Sequence, residues 1–158
     1  MLVVVDVLNG YRRGGGPEIV SLVDAARERD VLTVYVNDNF QDWTLDRRAL
    51  LERVTDCPHR RLVERWPRTI FWQTSLDYLL PQSGIDRLVL CGQVTEQCIL
   101  YSALDAHVRE YGVTVARDAC ASIDPELAEA ALRLMEINMH ARIASSAEAL
   151  EVAPASAP

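Results

Sequence analysis

The sequence predicts an α/β domain, with a mostly parallel sheet and helices on both faces. Three observations carry this. Short apolar runs alternate with segments whose apolar residues recur at helical spacing. The runs are apolar throughout, as strands covered on both faces are. Residues 1–36 already read strand, helix, strand, the unit whose crossover makes neighbouring strands parallel.

Leu2 to Val5 is the first strand. Gly14-Gly15-Gly16-Pro17 is a loop whose proline suits a first helical turn. From Glu18 to Arg29, Ile19, Val20, Leu22, Val23 and Ala26 mark a helix, and Val31 to Val36 is the second strand. Leu45 to Val54 is read as helical, and Cys57-Pro58-His59 breaks it. Leu62 to Trp66 fits either a short strand or a helix end. Ser75 to Leu80 is a helix closed by Pro81 and Gly84, and Arg87 to Cys91 a strand. Ile99 to Tyr111 is a helix with Gly112 expected as its C-cap, followed by a strand from Val113 to Val115. Pro125 to Met139 is a helix with Asp124 as N-cap. Ala141 to Ala144 is a last strand and Ser145 to Val152 a last helix.

The chain of 158 residues fits one domain, expected to span 1–152, with 153–158 an Ala/Pro/Ser tail expected to be mobile. The formal net charge of −7 argues against a nucleic-acid partner, which needs clustered cations. No apolar run approaches the ~20 residues that span a bilayer, and no secretion signal opens the chain, so no membrane partner and a cytoplasmic location are expected. Cys57, Cys91, Cys98 and Cys120 show no metal-type spacing, and free thiols are expected. All 16 basic side chains are arginines; lysine is absent.

Parallel sheets bind ligands at the carboxyl ends of their strands. Two such ends carry reactive groups: Asp6 after the first strand, and Cys98 a few residues beyond Cys91, where a helix begins. Backbone N–H groups and the dipole at a helix start favour a thiolate and can stabilise an oxyanion, while a nearby carboxylate can serve as base.

Val4-Val5-Asp6-Val7-Leu8-Asn9 resembles the opening "VVDxxN" of isochorismatase-like cysteine hydrolases, and Gly92-Gln93-Val94-Thr95-Glu96-Gln97-Cys98 resembles their "GxxTxxC" nucleophile turn. Ser102 to Ala106, Val113 to Cys120 with its "TVxRDAC", and Asn138 to Ile143 continue the likeness along nearly the whole chain. The resemblance implies a three-layer, Rossmann-like fold of the isochorismatase type, shortened here. It also implies a thioester mechanism on a small amide, carbamoyl or related carbonyl compound. Asp6 would take the proton of Cys98, and Val94 and Cys98 N–H groups would hold the oxyanion beyond a cis Gln93–Val94 peptide. Gln93, Thr95, Asn9 and Phe40 are the further substrate-side candidates. The resemblance also implies a homo-oligomer, a dimer or tetramer, acting on a small molecule without a cofactor.

The family's catalytic lysine has no counterpart. Counting back from Thr69-Ile70-Phe71, which stands where the family has "SAF", puts Arg65 in its place. A second alignment deletes the lysine strand and joins Arg68 directly to Thr69. Arginine keeps the positive charge but is bulkier, flat and never deprotonated. No metal is expected: the Asp-x-His that holds metal in family nicotinamidases reads Asp38-Asn39-Phe40 here, and the three histidines are scattered in sequence. Glu96 is read as suiting its own helix start, Cys91 and Cys120 as structural, and Asp118 as stabilising a sheet end near the active site. The competing readings are a catalytically impaired relative that binds a small molecule or plays a structural part, and a vinyl-ether hydrolase working by acid–base catalysis on Asp6.

Overall fold

The computed structural model describes residues 1–7, 16–38, 61–65, 69–72 and 74–151, with the side chains of 38 and 61–65 excepted. The expected helix at 45–54, the break at Cys57, the candidates Asn9 and Phe40, and the 153–158 tail lie outside the described residues. The elements are β1 (Leu2–Val5), α1 (Gly16–Glu28), β2 (Thr33–Asp38), β3 (Arg61–Arg65), α2 (Leu76–Gln82) and β4 (Arg87–Gln93). They continue with a wide helical turn (Thr95–Ile99), α3 (Leu100–His107), β5 (Gly112–Ala121), α4 (Pro125–Met139) and β6 (Arg142–Ala144).

The six strands form one sheet in the order β3-β2-β1-β4-β5-β6, parallel at every pairing. Leu2, Val3, Val4 and Val5 are fully buried, which is why β1 is apolar without alternation. Its even positions, Leu2 and Val4, pack with Tyr35, Cys91 and the buried stripe Ile19, Leu22, Val23 and Ala26 of α1. Its odd positions, Val3 and Val5, pack on the other face with Leu76 and Leu80 of α2, Ala103 and Ala106 of α3, and Ala131, Leu132 and Met135 of α4. Two apolar cores thus flank the sheet, the three-layer arrangement the sequence predicts.

Helix ends account for most differences from expectation. Gly84 takes the left-handed position after α2 (φ +62°), with Ile85 N–H donating to Leu80 O at 3.0 Å, but Pro81 lies inside the last turn rather than beyond it. After α3 it is Glu110, not Gly112, that turns left-handed (φ +66°), and Tyr111 N–H closes on Ala106 O at 3.0 Å. Gly112 instead opens β5, which runs six residues past Val115. The expected helix from Ser145 is a run of turns: Glu148 N–H reaches Ser145 O and Glu151 N–H reaches Glu148 O, three residues back. Asp118 takes Ser146 there, accepting from its N–H at 2.6 Å and its hydroxyl at 2.9 Å. Asp118 therefore pins this turn to β5.

Arg109, just past α3, grips both carboxylate oxygens of Asp77 at 2.7 and 3.4 Å and lies 4.4 Å over the Phe71 ring, which itself stacks on Tyr111. This fastens residues 69–77 to α3, together with buried Ser102, whose Oγ accepts from Ile70 N–H at 3.2 Å. No helix among the described residues is long and apolar enough to cross a membrane.

Asp124 caps α4 as expected, accepting from Glu126 N–H at 2.9 Å and Leu127 N–H at 3.2 Å, with Pro125 in the first turn. Asp124→Ala is expected to cost about 1 kcal/mol and lower Tm by about 2–4 °C. Thermal unfolding followed by circular dichroism checks this.

Candidate active site

The sheet order fixes where a ligand can enter. The chain leaves β1 for α1 on one face and leaves β4 for α3 on the other, although β1 and β4 are hydrogen-bonded neighbours. A crevice opens at the carboxyl ends of two strands whose connections diverge in this way. Side-chain polarity follows the same logic. The buried polar residues among those described are Asp6, Thr33, Asn37, Gln93, Thr95 and Ser102. Four of them, Asn37, Asp6, Gln93 and Thr95, sit at or just beyond the carboxyl ends of the adjacent strands β2, β1 and β4.

Asp6 is 2 % exposed, with φ +52° where β1 ends. Its N–H donates to Val36 O at 2.9 Å, and its carbonyl accepts from Gln93 Nε2 at 3.0 Å. A side chain from the end of β4 thus braces the backbone that carries the acid. The Gln93–Val94 peptide is cis. Gly92, one residue earlier, lies against Val5: a Cβ built on it would meet Val5 O at 2.0 Å.

Beyond Val94 the backbone coils into the wide turn, where Gln97 and Ile99 N–H groups both donate to Val94 O at 3.1 and 3.2 Å. Cys98 lies in this turn, two residues before α3 begins, in the first turn of a helical stretch running from Thr95 to His107. Its side chain is half-buried, packed against the α3-side core without being sealed in it. Of the other described cysteines, Cys91 is buried and Cys120 half-buried. Burial pushes the Cys91 thiol well above its ordinary range and the Cys120 thiol up to about 12, which leaves both protonated at neutral pH.

Thr95, a substrate-side candidate, donates its hydroxyl to Ala121 O at 3.0 Å, which anchors the turn to β5. Glu96 lies in the first turn of its own helical stretch, as expected, and its Oε1 also accepts from Ile123 and Asp124 N–H at the start of α4. Arg65 ends the edge strand β3, opposite Asp38 in register, and β3 pairs with β2 along its whole length. Asn37 escaped the sequence reading. It is 5 % exposed, and its Oδ1 has no hydrogen-bond partner among the described residues. The available signal was the strand's apolar run continuing into a polar residue at the same depth. Among the aromatic residues of this region, Phe71 is core and Trp72 is exposed, while Phe40, Trp43 and Trp66 lie outside the described residues.

The donor set does not fit the nicotinamidase type of metal, because Phe40 offers no ligand where that motif has histidine. Among the described residues, no group of three or more His, Cys, Asp or Glu side chains could hold a metal ion. His107 and His140, scattered in sequence, meet edge to face at 6.2 Å between the ends of α3 and α4, away from this crevice.

The Isochorismatase domain family matches residues 1–148. The chain belongs to the isochorismatase family. It is 25% identical over 173 residues to the uncharacterized isochorismatase family protein YaaI of Bacillus subtilis, covering 95% of this chain and 96% of that one. Among solved structures, nicotinamidase PncA from Bacillus subtilis superposes with a TM-score of 0.82 at 23% identity, covering 91% of this chain and 98% of that one. N-carbamoylsarcosine amidase from Thermoplasma acidophilum does so with a TM-score of 0.79 at 25% identity, covering 97% and 98%. The isochorismatase-type α/β fold of this family member is the one its sheet order and two flanking layers display.

Proposed function

We propose that this family member is a hydrolase of a small amide, carbamoyl or related carbonyl compound, working through a thioester on Cys98. The observation that supports the reading is the half-buried Cys98 in the helical turn just beyond β4, whose neighbouring strand β1 ends in buried Asp6. Solved relatives named as an amidase and a nicotinamidase support the reaction class.

In this mechanism Asp6 takes the thiol proton and the sulfur attacks the carbonyl carbon. The negative charge that develops on the carbonyl oxygen falls to the N–H groups of Val94 and Cys98. The C–N bond breaks as Asp6 returns the proton to the leaving nitrogen. Water then attacks the thioester, releasing the acid and restoring the thiol. Arg65, which ends β3, is assigned in this proposal the role the family gives to lysine. A strand paired with β2 at this point favours the in-register substitution over loss of the strand. Self-association into a dimer or tetramer is part of the same proposal; a mass near 17.7 kDa by light scattering would overturn that part.

Alkylation by iodoacetamide at pH 7, mapped by peptide mass spectrometry, tests the site. Cys98 is expected to label well ahead of Cys91 and Cys120, and Asp6→Asn to slow it. The absence of lysine from the chain favours a second reading, a ligand-binding relative without turnover. Under that reading Cys98 labels no faster than an unperturbed thiol of pKa ~8.5.

A further inference from the structure

The turn that carries Cys98 is tied at two successive residues to the connection between β5 and α4. Thr95 Oγ1 donates to Ala121 O at 3.0 Å. Glu96 Oε1 accepts from Ile123 N–H at 2.7 Å and Asp124 N–H at 3.0 Å. The two N–H groups just before α4 have no partner inside that helix, so the carboxylate satisfies them as a remote cap. Asp124 satisfies the next pair, Glu126 and Leu127. Glu96 Oε2 is buried and has no hydrogen-bond partner among the described residues, so the side chain reaches inward rather than into water. Burying a carboxylate is costly unless it is hydrogen-bonded, and these two amides are what offset that cost.

Cys98 is two residues along the same turn. The bonds of Thr95 and Glu96 to the β5–α4 side therefore bear on where the backbone that carries the sulfur sits. We propose that Glu96 is a positioning residue: by clamping the nucleophile turn to the start of α4, it sets the placement of the Cys98 thiol opposite Asp6. This rests on the hydrolase reading above and adds a residue to it. A displacement of about 1 Å at a reacting atom can cost about 100-fold in rate.

The test compares Glu96→Ala, Glu96→Gln and Asp124→Ala in the full-length protein. Asp124→Ala loosens the same end of α4 but leaves the Glu96 bonds in place, because those use backbone N–H groups. Two quantities are read. One is the rate and pH profile of Cys98 alkylation by iodoacetamide; the other is kcat and KM on an amide the wild-type protein hydrolyses. Glu96→Ala is expected to lower kcat by about 10- to 100-fold, with KM within about twofold, and to alter the alkylation profile. Glu96→Gln, which keeps one acceptor oxygen, is expected to recover most of both. Asp124→Ala is expected to lower Tm while leaving both unchanged. The inference is overturned if Glu96→Ala alkylates and turns over like wild type, or if Asp124→Ala impairs both as much. Should Glu96→Ala not fold, the Glu96→Gln profile decides, and one identical to wild type overturns it. An inert Cys98 in the wild-type protein would remove the hydrolase reading itself. A reactive Cys98 indifferent to residue 96 would remove only this inference.

Discussion

Cys98→Ala is expected to lower the hydrolysis rate by about four orders of magnitude or more, which is about 5 kcal/mol of transition-state stabilisation. The size follows from what the thiol does in the proposed path. It forms the bond to carbon, and its proton is the one later delivered to the leaving nitrogen, so without it both halves of the reaction lose their partner. Asp6→Asn removes the proton carrier and should be nearly as severe. The double variant should be little slower than either single one, because groups that act as a unit fail together. Cys98→Ser separates chemistries. A serine hydroxyl is far harder to ionise and should be close to inactive in amide cleavage. A vinyl-ether hydrolase that runs on Asp6 alone would keep its activity. The measurement is kcat/KM on a panel of small primary amides, carbamoyl compounds and vinyl ethers. Full activity of Cys98→Ala on any amide would end the thioester proposal.

Why the sulfur of residue 98, rather than its neighbours, carries this expectation is a matter of surroundings. Cys91 and Cys98 lie seven positions apart, yet one is wholly inside the sheet and the other half-open at a helix start. Desolvation disfavours a thiolate at Cys91 and at Cys120, while the dipole of a helix start favours one.

The fold was legible because its signals are local. Four consecutive buried residues in β1, the stripe of α1 and the Asp124-Pro125 opening of α4 each declare themselves within a few positions. The position of the candidate site was legible too, since a parallel sheet displays its strand ends. What escaped were decisions taken between distant segments. Nothing near Gly112 in sequence says that Glu110 will adopt the left-handed turn while Gly112 donates its N–H to Asp86 O across the sheet. Glu96 looks like an ordinary acidic residue at its own helix start; its partners lie 27 and 28 positions away. Thr95 sits in a motif that invites a substrate role, yet its hydroxyl donates to Ala121 O. Asn37 is hidden for a different reason: a polar residue at a strand end reads as exposed until the neighbouring strands are placed around it. In each case long-range contact overrides a local preference.

Gly92→Ala is expected to prevent folding, and the reason is geometric rather than chemical. Gly92 has φ +120°, a region side-chain-bearing residues rarely adopt. A Cβ there would lie 2.0 Å from Val5 O and 2.8 Å from Val5 C and N. Those are backbone atoms of a fully buried strand, paired in register with Gly92 itself, so no side chain can swing aside to make room. The methyl fits only if β1 and β4 part at this pair, the point where β1 delivers Asp6 and β4 delivers the nucleophile turn. Losses above about 4 kcal/mol are exceptional for one substitution, yet a whole domain has only about 5–15 kcal/mol to lose. Gly112→Ala is the matched control. The nearest atom to its added carbon is Arg87 Cγ at 3.3 Å, on a long side chain that can yield. It should fold with Tm within a few degrees of wild type, whereas Gly92→Ala should yield no cooperative unfolding transition in urea. A Gly92→Ala protein that unfolds cooperatively at the wild-type midpoint would mean that β1 and β4 do not meet this closely, and the crevice built on their contact would have to be redrawn.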